Sequence, residues 1–133
     1  MSIFKNSEVL NNSRNDDEGP GKPGTVMSVS FRLEGQDFIA LNGGPHFTFS
    51  PAISLFVSCE SQSEVDDLWA KLSSGGGETQ RCGWLKDKYG VSWQIIPKAL
   101  GELLEDPDTA KSDRVWKAML QMEKIDIKGL QEA

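Results

Sequence analysis

Six side chains in this 133-residue chain have the chemistry of a binding or catalytic site: Asn42, His46, Ser54, Phe56, Trp84 and Gln94. Gln94 sits in Val91-Ser92-Trp93-Gln94-Ile95-Ile96, where strand alternation puts Val91, Trp93 and Ile95 on one face and Ser92, Gln94 and Ile96 on the other. An amide on such a face needs hydrogen-bonding partners once it is covered, and a ligand can be one of them. Asn42 and Ser54 offer further hydrogen bonds to a small polar molecule, and Phe56 and Trp84 offer rings to stack on it. A polar cluster satisfied within an open sheet accounts for the same residues equally well. His46, the only histidine, could serve as a general base near neutral pH. No carboxylate partner is evident for it, so a solvent-facing or capped loop histidine is the simpler assignment.

The elements that must position these groups are legible in outline. Cys82 to Pro97 reads as a β-hairpin, with Lys86-Asp87-Lys88-Tyr89-Gly90 as its turn and Pro97, which has no amide hydrogen, ending the pairing. Thr25 to Leu33 alternates, with Val29, Phe31 and Leu33 on one side. Glu34-Gly35-Gln36-Asp37 turns it into a second strand, Phe38 to Asn42, which ends at Gly43-Gly44-Pro45-His46. Ala52 to Cys59 is the next strand, with Ile53, Leu55 and Val57 sharing a face. Ser61-Gln62-Ser63-Glu64 is a capping box, and Val65, Leu68, Trp69 and Leu72 follow as one apolar helical stripe that Gly75-Gly76-Gly77 terminates. Glu78 to Cys82 is expected as a short strand. Beyond Pro97 a brief helix around Leu100 to Leu104 precedes a longer one, started by Asp106-Pro107-Asp108 and running to about Lys124. Val115, Trp116, Met119, Leu120 and Met122 line its apolar side, as core or subunit contact. Asn11 to Gly24, with three glycines, two prolines and a charge cluster, is expected to be a loop.

Composition bounds the function. A chain of this length makes one domain with a real core, and 38% hydrophobic and 26% charged residues are ordinary for a soluble globular protein. No apolar run approaches a membrane span, and Met1-Ser2-Ile3-Phe4-Lys5 lacks a secretory pattern, so the expected location is the cytoplasm. A net charge of −6 and a pI near 4.8 give nucleic acid no electrostatic reason to bind. Cys59 and Cys82 are too few and too far apart for a CxxC motif and read as reduced, packed thiols.

Gly35-Gln36-Asp37-Phe38-Ile39-Ala40-Leu41 lies over Gly90-Val91-Ser92-Trp93-Gln94-Ile95-Ile96 with a shared pattern of glycine, two residues, an aromatic and three strand residues. Phe38 to Phe47 (FIALNGGPHF), Cys82 to Gln94 (CGWLKDKYGVSWQ) and the tail Met119 to Ile127 (MLQMEKIDI) then resemble the PhnB-like proteins that carry the "3-demethylubiquinone-9 3-methyltransferase" domain. These are a branch of the vicinal oxygen chelate superfamily, with glyoxalase I, extradiol dioxygenases such as dihydroxybiphenyl dioxygenase, and bleomycin-resistance proteins. The resemblance implies an α+β fold: paired βαβββ modules whose mixed sheet curls into a cup around a pocket, in a single domain over residues 1–133. It divides into a first module (1–51), a second (52–97) and C-terminal helices (98–133). Such domains usually carry a strand and helix ahead of the part that reads Ile3-Phe4-Lys5-Asn6-Ser7 here, so the first module is expected to be truncated. A neighbouring subunit, making a homodimer, would fill the gap, or the chain would be less stable.

In metal-dependent members the ligands are His and Glu on inward faces of equivalent strands. The repeat makes Ile39 and Gln94 the equivalent late-strand positions, and Ala52 and Ser54 stand where a ligand histidine often sits. An isoleucine cannot ligate, and a neutral amide is a poor substitute for carboxylate, so no catalytic metal is expected. The family label implies methyl transfer, yet no Gly-rich strand-to-helix loop for an adenosine cofactor is visible, and no cofactor is expected. The expected function is metal-free binding of a small organic molecule. The alternatives are an enzyme on the same scaffold (a methyltransferase as labelled, or a lyase- or dioxygenase-like activity) and a dimeric interaction protein whose pocket has closed.

Overall fold

Glu34 and Gly35 both take positive φ, 47° and 84°, the left-handed pair that a two-residue hairpin turn requires. In the computed structural model, which describes residues 1–133, the ladder therefore closes with Leu33 opposite Gln36, two residues tighter than the expected four-residue turn. Strand β2 (Val26–Leu33) pairs antiparallel with β3 (Gln36–Leu41), and β1 (Ser7–Arg14) pairs antiparallel on the other side of β2. Phe31 and Phe38 face each other across β2 and β3 with stacked rings 5.5 Å apart. Arg32, on the opposite face, bridges Glu8 of β1 and Asp37 of β3 at 3.1 and 2.6 Å. These elements form a compact unit over residues 1–48.

The loop expected from Asn11 to Gly24 is corrected over its first four residues, because β1 runs through Arg14. Ladder bonds come from the backbone, so a solvent-facing edge strand needs no apolar side chains to form. Leu10 is an extra residue in the ladder, where the register shifts between Val9 and Asn11.

Residues 49–133 form the second compact unit. Strand β4 (Ser54–Cys59), helix α1 (Gln62–Ser73) and strands β5 (Glu78–Thr79), β6 (Trp84–Lys86) and β7 (Ser92–Pro97) give a βαβββ order. In space the strands run β4-β7-β6-β5, with β4 parallel to β7 and the other pairs antiparallel. A parallel pair needs a crossover, and α1 supplies it. Its N-cap is Ser61, as the sequence indicates: Ser61 Oγ accepts from the Glu64 amide, while the Glu64 carboxylate accepts from the Glu60 amide, one residue ahead of the cap, rather than from the cap itself. Val65, Leu68 and Leu72 are buried where α1 packs on β6 and β7, beside buried Leu85, Trp93 and Ile95.

The chain then continues into α2 (Lys98–Leu104), α3 (Thr109–Met119) and α4 (Ile127–Gln131). Leu100, Val115, Met119, Ile125 and Leu130 make their core, with Cys82, Ile96 and Met122 packed against it. Helix α3 ends five residues short of the expected Lys124. The Met122 and Glu123 carbonyls accept from the Cys82 and Gly83 amides, 2.8 Å each, and so are committed to the chain entering β6. Gln62 holds the next stretch, donating to the Ile125 carbonyl at 2.9 Å and accepting from the Ile127 amide at 2.8 Å. Asp126 then caps α4, a helix not anticipated. Trp116 and Leu120 are exposed, so the apolar side of α3 is narrower than its sequence implies. Strand β5 is also shorter than expected, since Cys82 and Gly83 take positive φ and turn the chain, and Ala52 and Ile53 precede β4 rather than belonging to it.

Candidate functional site

The registers of the second sheet place three of the candidate residues abreast. Phe56 of β4 lies opposite Gln94 of β7, and Gln94 lies opposite Trp84 of β6. Ser54, two residues before Phe56, shares their face by strand alternation. The other face carries Leu55, Val57, Leu85, Trp93 and Ile95, so α1 covers the side away from these four residues.

Gln94 Nε2 donates to Ser54 Oγ at 2.9 Å. That bond uses one amide hydrogen and one lone pair of the hydroxyl, and leaves the Gln94 side-chain oxygen as an acceptor and the Ser54 O–H as a donor. Gln94, Ser54 and Trp84 are half-buried, whereas Phe56 is 61% exposed. The row thus offers an amide between two aromatic rings, with the Ser54 hydroxyl in the adjacent row.

Two anchors hold β7 in place. At its start, Asp87 Oδ2 accepts from Trp93 Nε1 at 2.9 Å, while Oδ1 accepts from the Tyr89 and Val91 amides at 2.9 and 3.0 Å. Gly90, at φ 92°, completes this turn. Toward its end, the Ile95 amide donates to the Gly83 carbonyl at 2.8 Å. A Cβ on Gly83 would lie 2.7 Å from Ile96 Cδ1 and 2.9 Å from the Ile95 carbonyl, and its φ is +80°, so only glycine fits. The sequence places Asp87 in the turn but assigns it no role. The available signal was an Asp at the turn's start, a position where its carboxylate commonly takes amides two residues on.

Asn42 and His46 belong to the first unit. The Asn42 side chain donates to the Val26 carbonyl at 2.8 Å and its amide to the Met27 carbonyl at 2.9 Å, which closes the open end of the β2–β3 hairpin. His46 lies exposed in the loop after β3, and Ile39 is 74% exposed.

The residues do not fit a catalytic divalent metal. No three His, Cys, Asp or Glu side chains converge to hold an ion, and the Gln94 amide is neutral and engaged with Ser54. An adenosine cofactor fits no better at the strand-to-helix turn of this unit. Cys59-Glu60-Ser61 contains no glycine, and the Glu60 and Glu64 amides are taken by the cap itself. Both cysteines are free, and burial, then Glu64, pushes the Cys59 thiol up to about 12, which makes it unreactive.

The model of the family described as 3-demethylubiquinone-9 3-methyltransferase matches residues 1–96. The PhnB protein from Bacillus cereus, provisionally named a 3-demethylubiquinone-9 3-methyltransferase, is 42% identical with a TM-score of 0.65, over 72% of this chain and 83% of that one. Protein PA1353 from Pseudomonas aeruginosa, 19% identical over 62% of this chain and 71% of its own, shares the fold at a TM-score of 0.50. A protein from Staphylococcus aureus is 30% identical over 73% of this chain and 80% of its own, with a TM-score of 0.29. None of the curated proteins matches. No helix is long and apolar enough to cross a membrane. With the family model spanning most of its length and a PhnB protein at 42% identity, the chain belongs to the PhnB-like 3-demethylubiquinone-9 3-methyltransferase family.

Proposed function

We propose that this PhnB-like protein binds a small organic molecule on the Ser54–Phe56–Trp84–Gln94 face of its second sheet, without a catalytic metal. The observation that carries this is the row itself, in which the Gln94 amide stands between two aromatic rings and is hydrogen-bonded to the Ser54 hydroxyl in the adjacent row. The pair keeps one acceptor and one donor for a partner, and the exposed Phe56 ring gains when apolar surface covers it, by roughly 25 cal/mol per Å². A ligand with a flat apolar body and one hydroxyl or amide group satisfies both. A ring compound of the kind named in the description of the family and of the B. cereus protein has this character. Methyl transfer or another reaction at this face would need a base or cofactor beyond these four side chains.

A second reading, association with another copy of the chain, draws on different observations. The outer edges of β3 and β4 are unpaired, and Ile39, Leu41 and Ile53 on or beside them are largely exposed. Light scattering separates the readings, since a monomer across the micromolar range is inconsistent with the second. A thermal-shift screen of small ring-bearing acids, phenols and amides tests the first. Ligands that stabilise the protein but not its Gln94→Leu variant support it, a flat screen sinks it, and stoichiometric metal in the purified protein overturns its metal-free part.

A further inference from the structure

We propose that the ligand of the Gln94 face is an aromatic carboxylate whose anionic end is taken by Lys86, an inference that deepens the binding reading above and rests on it. Ser92 of β7 lies between Ser54 of β4 and Lys86 of β6, opposite each of them in register. Residues directly opposite in a ladder share a face, so Ser54, Ser92 and Lys86 form a second row beside Phe56, Gln94 and Trp84. Gln94 follows Ser92 by two residues, which makes Ser54 and Lys86 its diagonal neighbours on either side. Such neighbours stand about 7–8 Å apart, within reach of a long side chain. Gln94 already spans one of the two diagonals to reach Ser54.

Every other residue that β4, β6 and β7 place on this face is a Ser, Gln, Ile or aromatic, so Lys86 is the one charge these strands set beside the Gln94–Ser54 pair. Glu78 of β5, opposite Lys86, pairs with it at 3.1 Å, and the two side chains are 63% and 40% exposed. An exposed pair of this kind holds its members weakly. A ligand carboxylate that also accepts from the Ser54 O–H, while its ring lies on Phe56 or Trp84, therefore competes with Glu78 for the ammonium. The chain as a whole carries a net charge of −6, so its overall field does not gather anions. Preference for an anion at this face has to come from the local cation. A neutral amide or phenol meets the same rings and the same Gln94–Ser54 pair but leaves Lys86 unused.

The test is a calorimetric titration of the full chain with naphthoate and, separately, with naphthamide, which has the same ring and nearly the same shape but no charge. Wild type is expected to bind naphthoate about tenfold more tightly, the difference between a hydrogen bond to an ion and a neutral one. Lys86→Met, which keeps the apolar stem, is expected to bring naphthoate down to the affinity of naphthamide and to leave naphthamide unchanged. Lys86→Arg should retain the preference, and Glu78→Gln, which removes the competing carboxylate, should strengthen naphthoate binding alone. Added salt should weaken naphthoate and not naphthamide. Equal affinity of the two probes for wild type, or a naphthoate preference that survives Lys86→Met, overturns the proposal, while naphthamide binding that Gln94→Leu abolishes leaves the reading of the face intact. Failure of both probes to bind overturns the two together.

Discussion

Gln94 in β7 donates a 2.9 Å hydrogen bond to Ser54 in β4, 40 residues away, diagonally across the parallel strand pair. The backbone ladder alone would hold these strands together. The side-chain bond instead fixes the rotamer of an amide between Phe56 and Trp84. A single bond of this kind contributes about 0.5–1.5 kcal/mol, so the pair can be altered without unfolding the sheet.

Gly83 is where the sheet meets the C-terminal helices. Gly83→Ala places a methyl within 3 Å of both Ile96 Cδ1 and the Ile95 carbonyl at a left-handed φ. Backbone strain of about 1–2 kcal/mol and overpacking of about 1–3 kcal/mol add, and urea denaturation should show a loss of roughly 2–5 kcal/mol. A loss below about 1 kcal/mol would mean that the helices yield freely at this point.

Asp87 serves as the hub of the β6–β7 turn. Asp87→Ala removes acceptors from Trp93 Nε1 and from two backbone amides, and hydrogen bonds to a charged group contribute about 1.5–3 kcal/mol. Destabilisation of at least about 1.5 kcal/mol is expected, with a changed Trp93 fluorescence in the native state. Asp87→Asn keeps the Oδ1 role but turns an N–H toward the indole, and should fall between wild type and Asp87→Ala.

Asp66 ties α1 to the segment before α4. A hydrogen bond from Lys124 and then one from Gln62 hold its carboxyl below the usual carboxylate range. A pKa lowered on folding contributes stability that is complete above the unfolded value of about 3.9 and is lost as pH falls through the lower folded value. Because the pair is solvent-exposed, Asp66→Asn should cost only about 0.2–1 kcal/mol at pH 7. Denaturation curves at pH 7 and near pH 2 check this: the difference between wild type and variant should vanish at the lower pH, and a constant difference would contradict it.

Much of the second unit was legible because its signals are local. The Ser61 N-cap, the Val65–Leu72 stripe and the Pro97 stop each act within one turn or strand, and each stands where the residues put it. What failed depended on distant partners. β1 exists because β2 offers it a ladder, although Asn11, Asn12, Ser13 and Arg14 have no strand-like character of their own. Helix α3 stops at Met119, where the Gln121 and Met122 amides turn to the carbonyls three residues back, and the Met122 and Glu123 carbonyls then accept from the distant Cys82 and Gly83 amides. For the site, alternation around Gln94 gave its face, whereas the alignment of Phe56, Gln94 and Trp84 required the β4–β7–β6 order, which no local pattern encodes.

We propose the Gln94–Ser54 pair as the polar centre of a ligand-binding face. Its most direct measurement is the affinity of the best thermal-shift ligand, read by calorimetry on wild type and Gln94→Leu, with both proteins first shown to unfold within about 1.5 kcal/mol of each other. A loss of at least about tenfold, the equivalent of 1.4 kcal/mol, is predicted for the variant. Equal affinity in the two proteins would contradict it.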